Sequence, residues 1–154
     1  MENNIKLLYS IDQKYTPDRE FPDSFQYEKE MKKVHELIEN IKPIINKNFT
    51  IDNNVQDAYF FTEITSISNN TSIKEDKKEL NIKLRFSNFG NMIAAEIYNE
   101  NMSSDIPEYI KNKIESQGWR VLSTNWLFNN KYDGVHEYFI DKKYEWWYRF
   151  FDYC

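Results

Sequence analysis

The sequence predicts an α+β fold: a mainly antiparallel sheet of about five strands with two helices packed on one face. Three observations predict it. Tyr27, Met31, Val34, Ile38, Ile41 and Ile45 recur at alternating spacings of four and three, one apolar stripe along a helix. In "ELNIKLRFS", Leu80, Ile82, Leu84 and Phe86 fall on one side of a strand and Asn81, Lys83 and Arg85 on the other. Several strand-like segments then follow one another across short polar connections, the pattern of an antiparallel meander.

The elements follow in order. "YTPDREFPDS" carries two prolines and several charges and reads as a loop. Asp23 and Gln26 have the spacing of a capping box that opens the first helix. Pro43 lacks an N–H and restricts Lys42, so the helix is expected to end or kink there. "DAYFFTEITSIS" is rich in β-branched and aromatic residues and reads as a strand. The polar run "NNTSIKEDKK" is the hairpin loop before "ELNIKLRFS", and "NFGN" turns the chain into the strand "MIAAEIYN". The second helix begins in "SDIPEYI", with Asp105 and Glu108 as its capping box and Pro107 in its first turn. Ile106, Ile110 and Ile114 line one face, and Gly118 ends it. "WRVLS" is a short strand. Residues 124–143 read as loop, with Asp133-Gly134 as a turn.

The last twelve residues, "KYEWWYRFFDYC", include seven aromatics. Read as a closing strand, Tyr144, Trp146, Tyr148 and Phe150 face the core, with Trp146 and Phe150 against Met31, Val34 and Ile38. Glu145, Trp147, Arg149, Phe151 and Tyr153 form the other face. Rings beside an opposite-charge pair are the composition of an interface surface, so these five are the candidate partner-binding residues. The competing reading has the segment 125–141 covering this face. The outer face of the sheet, with Glu63, Lys83, Arg85 and Glu96, is expected to be at least partly solvated.

With 154 residues the chain has the size of a single domain, 1–154, able to bury roughly 68–70% of its unfolded surface without a metal or disulfide staple. Aromatic content of 17% and 40% hydrophobic residues supply the core. A mean hydropathy of −0.80 reflects Tyr, Trp, Asn and Lys rather than a lack of core formers. Cys154 is the only cysteine, so no internal disulfide is expected. The first residues lack the basic and apolar regions of a signal peptide, and no apolar run reaches the ~20 residues of a membrane span. The expected location is therefore the cytoplasm, and the Asn-X-Ser/Thr matches at Asn48, Asn69, Asn70 and Asn101 are chance. Abundant Lys, Asn and Ile suggest an AT-rich bacterial or phage genome.

The net charge of −5 argues against binding to nucleic acid or to anionic membranes and favours approach to a basic partner. Chemical motifs are sparse. With three glycines there is no room for a phosphate-cradling loop, and no nucleophile elbow or metal-protease spacing is present. His35 reads as a partly buried structural histidine. His136, with Asp133, Glu137 and Asp141 nearby, could bind a divalent ion or serve as acid and base, but reads better as a solvated turn. No catalytic residue, metal or cofactor is assigned.

The expected function is a small cytosolic protein-binding module, most specifically a bacterial immunity protein that neutralises a basic, nuclease-like toxin by direct binding. The alternatives are a small enzyme or ligand-binding domain using segment 125–141 with Asp133, His136 and Glu137, and a phage-encoded inhibitor of host defence.

Overall fold

The computed structural model describes residues 2–16, 21–52, 62–67, 81–99 and 102–152. In chain order the elements are α1 (Glu2–Lys14), α2 (Tyr27–Ile45), β1 (Asn48–Asp52), β2 (Thr62–Ile67), β3 (Asn81–Phe86), β4 (Met92–Asn99) and β5 (Met102–Ser104). Then come α3 (Glu108–Glu115), β6 (Arg120–Ser123), α4 (Thr124–Asn129), α5 (Glu137–Asp141) and α6 (Trp146–Phe150).

The fold is α+β with a mainly antiparallel sheet. β1, β2, β3 and β4 pair in sequence order, each antiparallel to the next. β4 also pairs antiparallel with β5 through Ile97–Asn99 and parallel with β6 through Met92–Ala95. The parallel pair needs a crossover, and α3 lies in that connection.

Alternation along β4 and β6 sorts the core into two clusters. Ile93, Ala95 and Val121 join Ile64, Ile82, Leu84 and Phe86 beneath α2 and α3, which contribute Val34, Leu37, Ile38, Ile41, Ile110 and Ile114. Met92, Ala94 and Leu122 point the other way, into a second cluster with Leu8 and Ile11 of α1, Leu127, Phe139, Trp146, Trp147, Phe150 and Phe151. Helices therefore lie on both sides of the sheet, six among the described residues where the sequence predicts two.

The strands at 62–67, 81–86, 92–99 and 120–123 fall inside the segments predicted for them. The predicted hairpin loop at 69–78 lies outside the described residues. Other expectations need correction. α2 begins at Tyr27 with Gln26 as its N-cap, so Asp23 makes no capping box, and α3 starts from Pro107 with no side-chain cap. α2 runs through Pro43 to Ile45. It closes at Asn46, whose φ of 54° and ψ of 40° are left-handed and whose N–H bonds the Lys42 carbonyl. Pro43 sits in the last turn at an exposed position, so it forfeits only its own bond to the Glu39 carbonyl, which water can replace. Gly118, at φ 87°, stands two residues beyond the C-cap Ser116. α1, β1 and β5 were not predicted, and the 124–143 loop contains α4 and α5. His35 is exposed, because α2 turns it away from the stripe.

The largest correction is the aromatic terminus, which is the helix α6 and not a strand. Trp146 and Phe150 are buried as expected, at 1% and 0% exposure, but in the second cluster, on the opposite side of the sheet from Val34 and Ile38. Rings four residues apart stack on one another: Trp146 on Phe150 with centroids 6.0 Å apart, and Trp147 on Phe151 at 5.4 Å. A short run with rings at both i, i+2 and i, i+4 satisfies either period, and tertiary packing here selects the helix.

Candidate functional site

The candidate site is built outward from a buried carboxylate on α1. Asp12 has no exposure. Its Oδ2 accepts from the Tyr132 hydroxyl at 2.5 Å and from the Val135 N–H at 3.0 Å; its Oδ1 accepts from Arg149 Nε at 2.9 Å. His136 Nε2 lies 2.9 Å from the Asp12 carbonyl oxygen, and since a carbonyl only accepts, Nε2 carries the proton. The Tyr132 oxygen in turn accepts from the His136 N–H at 3.0 Å. Burial, together with the hydrogen bond to Asp12, pushes the Tyr132 phenol well above its ordinary value.

This network fixes the loop that leads into α5. His136 is the N-cap of that helix, and its carbonyl accepts from Phe139 N at 3.1 Å. Next door, Asp133 Oδ1 accepts from the Tyr9 hydroxyl at 2.5 Å and from Trp146 Nε1 at 3.2 Å. The Asp133 hydrogen bond, helped by burial, pushes Tyr9 up to about 12. Gly134 sits where a Cβ would come within 2.3 Å of Asp12 Oδ2 and 2.5 Å of the Tyr132 hydroxyl, so only glycine fits against the carboxylate.

The five sequence-predicted binding residues separate in this setting. Trp147, Arg149 and Phe151 are buried, at 8%, 2% and 0% exposure. Besides Asp12, Arg149 donates to the Tyr15 carbonyl at 3.0 Å, and its guanidinium carbon lies 5.1–5.7 Å from the rings of Phe89, Phe139 and Phe150. Glu145 is half-buried and paired with Lys131. Tyr153 lies outside the described residues. Arg85, read as an outward strand residue, is also buried and donates to the Phe151 carbonyl at 3.1 Å. Burial lowers its pKa, against the opposing pull of Glu63. The sheet's outer face is thus covered at Arg85 and partly open at Lys83, which pairs with Glu63 at 3.2 Å.

The residues proposed for acid–base chemistry are similarly engaged. Asp133 and His136 hold the hydrogen bonds just described, and Glu137 is exposed in the first turn of α5. Among the described residues no group of three or more His, Cys, Asp or Glu side chains could hold a metal ion.

What faces solvent is a set of side chains that sequence reading placed in a loop. Phe128, Val135, Tyr138 and Ile140 are 44%, 51%, 45% and 45% exposed; they are four of the six exposed large hydrophobics among the described residues. Phe128 lies flat on Trp147, with centroids 4.3 Å apart. Tyr138 meets Tyr144, which meets Tyr148 at 5.0 Å. α5, "EYFID", buries only Phe139 and presents Glu137, Tyr138, Ile140 and Asp141. The sequence does carry a signal: an apolar triplet, Tyr138-Phe139-Ile140, that a helix with one buried residue cannot hide. Comparison with known proteins gives no match among family models, curated proteins or solved structures.

Proposed function

We propose that the chain is a protein-binding module whose docking surface is the outer side of α4 and α5, centred on Phe128, Val135, Tyr138 and Ile140. The carrying observation is that Val135, Tyr138 and Ile140 stand exposed on a segment tied from below by hydrogen bonds among Asp12, Tyr132, His136 and Arg149, while exposed Phe128 lies on buried Trp147. Rigid aromatic anchors lose little entropy on binding and are the residues whose truncation costs most at interfaces. The surface expected on Trp147, Arg149 and Phe151 is thereby moved outward, to the side chains that those residues support.

The partner we propose is basic. A net charge of −5 steers an acidic domain towards a positively charged surface, and a nuclease must be basic to hold its substrate. An inhibitor of such a toxin, acting in the cytoplasm by blocking its surface, needs no catalytic group of its own. The commitment of Asp133 and His136 to internal hydrogen bonds supports this reading over the small-enzyme alternative.

The test begins with capture of the partner from the native organism and continues with purified components. Phe128→Ala and Tyr138→Ala should each weaken binding by about 2 kcal/mol, and Tyr109→Ala, on α3, should leave it unchanged. Association should slow as salt rises. A partner of negative charge would sink the toxin-inhibitor reading. Full affinity in both ring variants would sink the surface.

A further inference from the structure

Lys33, Glu36 and Asn40 recur at spacings of three and four and so share one face of α2. They line a groove of about 310 Å³ with Asn91, in the turn from β3 to β4, and Gln117, Gly118 and Trp119, in the connection from α3 to β6. Side chains and backbone tie these three elements together. Lys33 Nζ donates to Asn91 Oδ1 at 3.1 Å, Asn40 Nδ2 to Gln117 Oε1 at 3.0 Å, and Arg120 N to the Asn91 carbonyl at 2.9 Å.

The same bonds fix which way each amide points. An ammonium only donates, so Asn91 gives its oxygen to Lys33 and keeps its NH₂ free. A carbonyl only accepts, so Asn40 gives its NH₂ to the Glu36 carbonyl at 2.8 Å, and Gln117 gives its NH₂ to the Lys113 carbonyl at 3.2 Å. Four groups of the lining then keep hydrogen-bonding capacity that no described residue uses. Asn91 Nδ2 and Trp119 Nε1 are donors; the Glu36 carboxylate and Asn40 Oδ1 are acceptors. Trp119 is 4% exposed, yet its unpaired Nε1 is not sealed from solvent. Trp119 also lines a cavity of about 20 Å³, which has room for little more than a water, so a larger ligand can meet it only in the groove.

This mixture selects the chemistry of a ligand. Lys33 is already paired with Glu30 at 2.8 Å. An anion would face the Glu36 carboxylate, and a cation would leave both donors idle. The Trp119 ring packs edge-on with Phe86, centroids 5.1 Å apart, and with the side chain buried it offers no open face on which a base could stack. Hydroxyl groups remain, since each both donates and accepts without charge. We propose that the groove binds a sugar ring, with Asn91 and Trp119 donating to adjacent hydroxyls and Glu36 and Asn40 accepting from them. The site is separate from the docking surface on α4 and α5 and does not depend on it. Few hydrogen bonds at an open surface place the dissociation constant in the millimolar range.

The test is a nuclear magnetic resonance titration of the isotope-labelled full chain with D-glucose, D-galactose and the glucose disaccharide maltose. The Trp119 indole and Asn91 side-chain amide signals should shift together and saturate with at least one of them. Glu36→Ala changes an exposed helix position, and Asn91→Gly keeps a residue suited to the φ of 53° there, so both variants should fold normally, as judged by circular dichroism. Each should weaken sugar binding by about tenfold. Tighter binding of maltose than of glucose identifies the end of a glycan chain as the ligand; equal binding identifies a free sugar. The absence of a saturable shift at these two signals with all three sugars overturns the proposal. So does full affinity in either folded variant.

Discussion

Asp12 accepts three hydrogen bonds in a place with no solvent, and the behaviour of the surrounding residues follows from keeping it satisfied. Removing Arg149 would leave that carboxylate buried without its counter-charge, so Arg149→Ala should cost about 3–5 kcal/mol in denaturant unfolding. Replacing both members, Asp12→Leu with Arg149→Met, should lie closer to wild type than Arg149→Ala, because neither ion then remains unpaired. Gly134→Ala should cost about 1–3 kcal/mol, since the new methyl group would meet Asp12 Oδ2 and the Tyr132 hydroxyl well inside contact distance. Tyr9 makes a prediction about pH. Its pKa is raised from 10.0 to about 12, so the fold favours the neutral phenol; that contribution is complete below pH 10 and is lost as pH rises through about 12. Unfolding free energy should therefore fall across this window as phenolate absorbance rises. Asp133→Ala, which removes the accepting oxygen that is the leading cause of the shift, should flatten the part of the fall that Tyr9 contributes. None of this was visible in the sequence. Asp12 and Arg149 are 137 positions apart, and no periodicity or spacing ties an N-terminal aspartate to a C-terminal arginine.

At the scale of elements, what the sequence disclosed and what it hid divide along physical lines. β3 was legible because its alternation matches the burial of Ile82 and Leu84, Arg85 excepted, β4 because an apolar run is buried on both faces from Met92 to Ala95, and the stripe on α2 because apolar residues recur at helical spacing over five turns. The end of α2 was misread: Pro43 in a final exposed turn is cheap, and the stop is instead Asn46 in left-handed geometry. Asn46→Gly should match or exceed wild-type stability, and Asn46→Ala should lose about 1 kcal/mol, measured by thermal unfolding. α6 was hidden because five residues rich in rings fit both periods. The stacked pairs Trp146–Phe150 and Trp147–Phe151 show that the four-residue spacing was the one to follow. β1, "NFTID", is too short and mixed to announce itself, and only its pairing with β2 makes it a strand.

For the whole molecule, the sheet separates an aliphatic cluster under α2 and α3 from an aromatic cluster gathered by α1, α4, α5 and α6. The fold class was readable because the middle of the chain fixes it. The candidate site was only half readable, because exposure on α4 and α5 depends on how α6 and α1 fill the space beneath them. Rings near the C-terminus therefore divide into support and surface: Trp146, Trp147, Phe150 and Phe151 are buried, while Phe128 lies on Trp147 and Tyr138 lies against Phe139 and Tyr144 with an exposed face. One paired measurement tests this division most directly, the melting temperature and partner affinity of Tyr138→Ala beside those of Phe150→Ala. Tyr138→Ala should keep its melting temperature and lose binding. Phe150→Ala should lose about 3–5 kcal/mol of stability through the cavity it leaves. A Tyr138→Ala protein that melts normally and binds at full strength would contradict the account.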